Sequence, residues 1–196
     1  MIFQRSIKNK VSAIGVGLHT GQKVRIILKP AKENSGIIFK RTDIKVPIEI
    51  KVEPKAVKET QLSTTIGKGK IKISTVEHLM SALCASGVDN ILIEVDGSEI
   101  PIMDGSSISF VYLIKSAVVF EQLKFKKFAV IKDEIKISDG EKFAKFEPYK
   151  GFLVDFTIDF PHPAFKKENS RVEIDFFKDS YVNNISRART FGFMQE

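Results

Sequence analysis

Apolar positions along the chain come first in short runs between turn residues. RIILKP (25–30), GIIFKR (36–41) and PIEIKV (47–52) are rich in β-branched and aliphatic residues, which predicts strands. KIKI (70–73) is a further short strand that leads into a helix. From Ser74 to Gly87 the period changes. Val76, Leu79, Met80, Leu83 and Cys84 fall at i, i+3, i+4, i+7 and i+8, a helical core stripe. Ser74 and Glu77 stand in the S-x-x-E order of a capping box, and Gly87 suits a C-terminal stop. ILIEV (91–95) predicts a strand, and Ile108, Val111, Tyr112 and Lys115 place a second helix over Ser107 to Ala117.

Past this point the basic stretch 123–127 reads as a linker, with Lys124, Lys126 and Lys127 interrupting the apolar periodicity. Strand patterns then resume at 128–132, 134–138, 142–148, 151–160 and 172–177, and a helix starts within 180–189. Strands then helices, followed by strands and a helix start, predict an α+β protein of two similar two-layer domains, each a sheet packed on helices. The predicted bounds are 1–123 and 128–196. The second domain has many strands and barely one helix to cover them, so the expectation is that it is truncated.

Composition narrows the setting. A single cysteine, Cys84, allows no intrachain disulfide and fits a reducing compartment. The first ten residues hold no apolar signal core, and the apolar stretch Val111–Phe120 is interrupted by Lys115 and too short to span a bilayer, so a soluble cytoplasmic protein is expected. The net charge of +7 admits either a lysine-rich solvated surface or an anionic partner: nucleic acid, a phosphorylated substrate or an acidic membrane face. No RNP motif, zinc-finger spacing or recognition-helix signature supports nucleic acid.

The chemistry concentrates on Glu77 and His78. At about 100° per residue, His78 lies nearly opposite the predicted stripe, on a face with the small residues Ser81, Ala82 and Ala85. Two readings stand for each residue. Glu77 is a capping carboxylate or a catalytic one, and His78 is a surface histidine or a metal ligand. HExxH is absent, because Ala82 follows His78 by four.

Five segments in register, GVGLHTG (15–21), STVEHLMSAL (74–83), GVDNILIEVDGSEIPIMDGSS (87–107), FTIDFPHP (156–163) and SRARTFGF (186–193), resemble the UDP-3-O-acyl-N-acetylglucosamine deacetylases of lipid A biosynthesis. The resemblance implies two sheet-on-helices domains with the active site between them. It also implies zinc-dependent hydrolysis of the N-acetyl group of a UDP-linked, 3-O-acylated glucosamine. It makes His78 a zinc ligand, Glu77 the general base and Thr190 the residue that helps hold the reacting carbonyl oxygen. By the same resemblance Phe191 matches an aromatic that contacts the sugar, and Leu62 and Ser63 match positions that line the substrate groove, with Ser63 standing where the family often has cysteine. His19 and His162 match histidines near the cleft. Peripheral contact with the inner membrane surface is a further expectation. The family's other two ligands, a His and an Asp four residues later, have no match here: Lys23, Ala82 and Lys166 follow the three histidines by four. The expectation is therefore a fragment that lacks part of the Zn2+ site and is inactive alone. The alternatives are a non-catalytic binding module that keeps the cleft, and a basic nucleic-acid-binding protein.

Overall fold

The computed structural model describes residues 2–159 and 170–191. The chain forms two compact units, Met1–Lys126 with Ile185–Glu196, and Lys127–Asn184. Both are built from strands and few helices, an α+β fold.

The larger unit begins with β1 (Phe3–Ile7), β2 (Val11–Val16), β3 (Lys23–Pro30), β4 (Ile37–Arg41) and β5 (Ile48–Lys51). After a 3-10 turn at Pro54–Ala56 come β6 (Val57–Glu59), β7 (Thr65–Lys68) and β8 (Ile71–Ile73). The helix α1 (Glu77–Ala85), β9 (Ile91–Val95), α2 (Ile108–Ser116) and β10 (Val119–Phe125) complete it. The main sheet has the order β2-β3-β9-β4-β5, antiparallel except for the β9–β4 pair. Alternation puts Leu28, Ile93, Phe39 and Ile50 in one cross-strand row, and none is more than 1% exposed. These apolar groups face a helix layer in which α1 buries Leu79, Ala82 and Leu83 and α2 buries Phe110, Val111 and Ile114. Burying such side chains contributes roughly 1.5–3 kcal/mol each, which is why this layer is the core.

Smaller sheets attach to the main one through polar contacts. Arg41 of β4 is 8% exposed; it forks onto Asp43 and also donates to the Lys72 carbonyl at 2.6 Å, joining β4 to the β6-β7-β8 sheet. Strand β1 pairs antiparallel with β10, Phe3 opposite Phe125. A buried amide network seals this pair: Asn90 donates to Gln4 at 2.8 Å and to Gln122 at 2.7 Å, and the Ser6 hydroxyl donates to the Asn90 carbonyl at 2.7 Å.

Strands β1, β2, β6 and β7 were not among the predicted elements. In β2 the pattern is inverted, with Ala13 and Gly15 half-buried while Ile14 and Val16 are exposed, so apolar periodicity points the wrong way. The basic stretch read as a linker is strand as far as Phe125, because β1 pairs with it to that point. The predicted strand at 128–132 does not form; residues 126–134 are irregular.

The smaller unit consists of two strand pairs, β11 (Ile135–Asp139) with β12 (Lys142–Phe146) and β13 (Leu153–Thr157) with β14 (Arg171–Asp175), and a short helix α3 (Tyr181–Asn184). Ile174 is its one buried apolar side chain among the described residues, while Ile137, Phe143, Phe146 and Phe156 are exposed.

Candidate functional site

The first turn of α1 carries Glu77 and His78, and the predicted capping box is absent there. Glu77 is the first helical residue, and no side chain caps the end. Ser74 is still extended: its N–H donates to the Ser98 carbonyl at 2.9 Å, and its carbonyl accepts from the Ile100 N–H at 3.0 Å. This pairing keeps Ser74 too far from the helix to cap it. The Glu77 carboxylate instead accepts the Thr64 N–H at 3.0 Å, and the Val76 N–H donates back to the Thr64 carbonyl at 3.3 Å. The loop bearing Leu62 and Ser63 is thereby pinned to the start of α1. Leu62 is 83% exposed with φ at 61°, an uncommon backbone state for a leucine.

Helix α1 is also rolled relative to the predicted stripe. Ala82 is fully buried and Cys84 exposed, the reverse of expectation. Val76, Leu79, Ala82 and Leu83 make the buried face. His78 therefore sits half-buried on the flank of that face, not opposite it. The helix ends as predicted. Gly87 has φ at 68°, and the Gly87 and Val88 N–H groups donate to the Cys84 and Leu83 carbonyls, a Schellman ending.

Glu99 organises the neighbourhood, and sequence reasoning missed it. Its side chain is 0% exposed and accepts the His19 N–H at 3.0 Å, the Thr20 N–H at 2.9 Å and the Thr75 hydroxyl at 2.9 Å. Burial pushes this carboxyl up, but the N–H groups of His19 and Thr20 and the hydroxyls of Thr20 and Thr75 outweigh it and hold the pKa below its ordinary value. The glycines of GVGLHTG serve this contact. A Cβ on Gly17 would run into the Glu99 carboxylate and the Thr20 hydroxyl, and one on Gly15 would stand 2.8 Å from Pro101 Cβ. The sequence signal was an acidic residue directly before the apolar run IPIM (100–103), with the glycine-rich segment GVGLHTG (15–21) elsewhere in the chain.

The same segment continues to Asp104-Gly105, which receives Thr190. The Thr190 N–H donates to the Gly105 carbonyl at 2.9 Å, and Arg189 reaches Asp104 at 3.5 Å. A Cβ on Gly105, where φ is 81°, would meet Thr190 Cγ2 at 3.6 Å. Burial raises the Asp104 pKa, but the Ser106 and Ser109 hydroxyls, the Ser106 N–H and the Arg189 charge leave it lowered. Thr190 and Phe191 are exposed, and the Thr190 backbone is fixed by its bond to Gly105.

Segment 99–105 thus joins the His19 loop and the start of α1 at one end to Thr190 at the other. His162 lies outside the described residues. No group of three or more His, Cys, Asp or Glu side chains able to share a metal occurs among the described residues. A catalytic zinc typically takes three protein ligands, so the described residues do not make a zinc site by themselves. No helix among them is long and apolar enough to cross a membrane.

The family model for UDP-3-O-acyl N-acetylglycosamine deacetylase matches residues 4–196. Three curated relatives, each named UDP-3-O-acyl-N-acetylglucosamine deacetylase, align over all 196 residues. The chain is 50% identical to the protein of Thioalkalivibrio sulfidiphilus, covering 100% of this chain and 64% of that one. It is 51% identical to that of Cellvibrio japonicus, covering 100% and 65%. It is 52% identical to that of Methylococcus capsulatus, covering 100% and 64%. The chain thus spans somewhat less than two thirds of the length of these relatives.

Proposed function

Because the chain belongs to the UDP-3-O-acyl N-acetylglycosamine deacetylase family, we propose that it is the N-terminal part of a zinc-dependent amidohydrolase. The reaction is removal of the N-acetyl group of UDP-3-O-acyl-N-acetylglucosamine, a step of lipid A biosynthesis carried out in the cytoplasm. The observation that carries this reading is the state of Glu77. Its carboxylate does not cap its own helix; it is held at the first turn by one backbone N–H, next to His78. A carboxylate so placed keeps lone pairs free to take a proton from a water.

In this reading His78 is one metal ligand, and the other ligands come from the part of the enzyme this chain does not span. Zinc supplies an acidified water when bound. Glu77 accepts the proton of the attacking water. The Thr190 hydroxyl, presented by a backbone tied to Gly105, donates to the oxyanion that forms on the acetyl carbonyl. Leu62, Ser63, Phe191, His19 and His162 belong to the substrate side. The charge of +7 suits a diphosphate substrate and transient contact with an acidic membrane face. The test uses an enzyme of the relatives' full length that carries this sequence, assayed for acetate release from UDP-3-O-acyl-N-acetylglucosamine before and after chelation. Metal-dependent acetate release is expected. Binding of the UDP-sugar without release would leave a non-catalytic binding module in its place.

A further inference from the structure

Thr75 is a β-branched residue at φ 58°, 2% exposed, and it comes immediately before the turn that starts α1. L-residues with a branched Cβ avoid this left-handed state, and such strain persists only where the surroundings over-determine it. The Thr75 hydroxyl donates to Glu99 at 2.9 Å. On its two sides, Ser74 is hydrogen-bonded to Ser98 and Ile100, and the Val76 N–H to Thr64. The same Glu99 carboxylate holds the N–H groups of His19 and Thr20. It has no cationic partner among the described ion pairs, so its charge is balanced by N–H and hydroxyl donors alone.

We propose that Glu99 is a positioning residue: by clamping Thr75 in its strained conformation, it sets where α1 begins and so where Glu77 and His78 stand relative to the His19 loop. Helix α1 could start in register with Ser74 as its cap, as the sequence suggests; the clamp holds Thr75 in the way of that alternative. With Thr75 released, only the bonds of Ser74 to Ser98 and Ile100 still oppose a first turn re-formed around Ser74. Glu77 would then move from the first helical position to the third, losing Thr64 and changing its direction. Positional errors of about 1 Å at a reacting group can cost on the order of 10²-fold in rate. The catalytic consequence rests on the deacetylase reading; the clamp itself does not.

The experiment has two arms. In the 196-residue chain, Glu99→Gln and Thr75→Val are compared with the parent by amide hydrogen exchange. Faster exchange at Val76 and Met80 is expected, with Ile93 in the central strand unchanged. Unchanged exchange at Val76 and Met80 in both folded variants overturns the clamp, whatever the activity. In the full-length enzyme, Thr75→Val cuts the link to α1 but spares the bonds from His19 and Thr20. A fall in kcat of ~10-fold or more with KM within about twofold is expected. Thr75→Ser, which restores the hydroxyl, should restore kcat to near parental. A kcat per folded enzyme that is unchanged in Thr75→Val, with only Tm lowered, overturns the positioning role. A parent that releases no acetate overturns the deacetylase reading, and the exchange arm still decides the clamp.

Discussion

At the scale of single residues, two side chains separate chemistry from architecture. Glu77→Gln retains a carbonyl oxygen to accept the Thr64 N–H, so Tm should change little, while deacetylation by the full-length enzyme should fall by ~10² or more. Unchanged turnover would reduce Glu77 to a loop anchor. Thr190 is held through its own N–H, which a substitution leaves in place. Thr190→Val should therefore lose ~10²-fold, mostly in kcat, as expected for one missing oxyanion donor. A rise in KM alone would make Thr190 a substrate contact and no more. Glu99 also carries a pH signature. Its folded pKa lies below the ordinary value of 4.5, so its stabilisation is complete above that value and is lost as pH falls through the folded pKa. Acid unfolding of the chain should steepen below pH 4.5, and Glu99→Gln should flatten that limb.

Elements show where patterns in the sequence carry information and where they mislead. The strands β3, β4, β5 and β9 and both main helices were legible, because each presents large apolar groups to one core at a regular spacing. Strand β2 was not, since its inward positions include Ala13 and Gly15, and at Gly15 the missing Cβ lets Pro101 and Met103 approach. Helix α1 was legible as a helix but not in its start or its roll. The S-x-x-E pattern is local, whereas the pairing of Ser74 with Glu99 is a tertiary contact that overrides it. In the same way His78, Glu77, Thr190 and His19 were named from residue types and resemblance, while Glu99, Thr75 and Thr64, which hold the His19 loop and the start of α1, were given no role, although Glu99 and Thr75 lie inside two of the resembling segments. The C-terminal stop at Gly87 is local and was read correctly. Gly87→Ala, at φ 68° and with Arg5 Nη1 already 3.3 Å from the new Cβ, should cost about 1–2 kcal/mol in urea unfolding. A midpoint shift within error would mean the helix end relaxes freely.

For the molecule as a whole, the two units should behave differently toward protease. Lys124 lies within β10, and Lys126 is ion-paired with Asp89 at 3.0 Å and bonded through its N–H to Ile2, whereas Lys127 and Lys132 lie in irregular chain. Trypsin should cut first at Lys127 or Lys132, and a first cut within 75–117 would refute that boundary. On the deacetylase reading, in which His78 is the one zinc ligand the resemblance supplies, the chain alone should hold no zinc after dialysis and release no acetate; near-stoichiometric zinc with activity would contradict this. The pairing of β1 with β10 bears on how such a chain comes to be folded in a cell. Phe3 meets Phe125, so the first strand made has no partner until the unit is almost fully synthesised. At roughly 5–20 residues per second, β1 waits on the order of ten seconds beside the ribosome. Gln4 meanwhile lacks the Phe125 carbonyl and Asn90 lacks Gln122 to complete their bonds. Translation speed up to Phe125, more than any local propensity, then sets how long the nascent chain exposes an open strand edge to aggregation or to a chaperone.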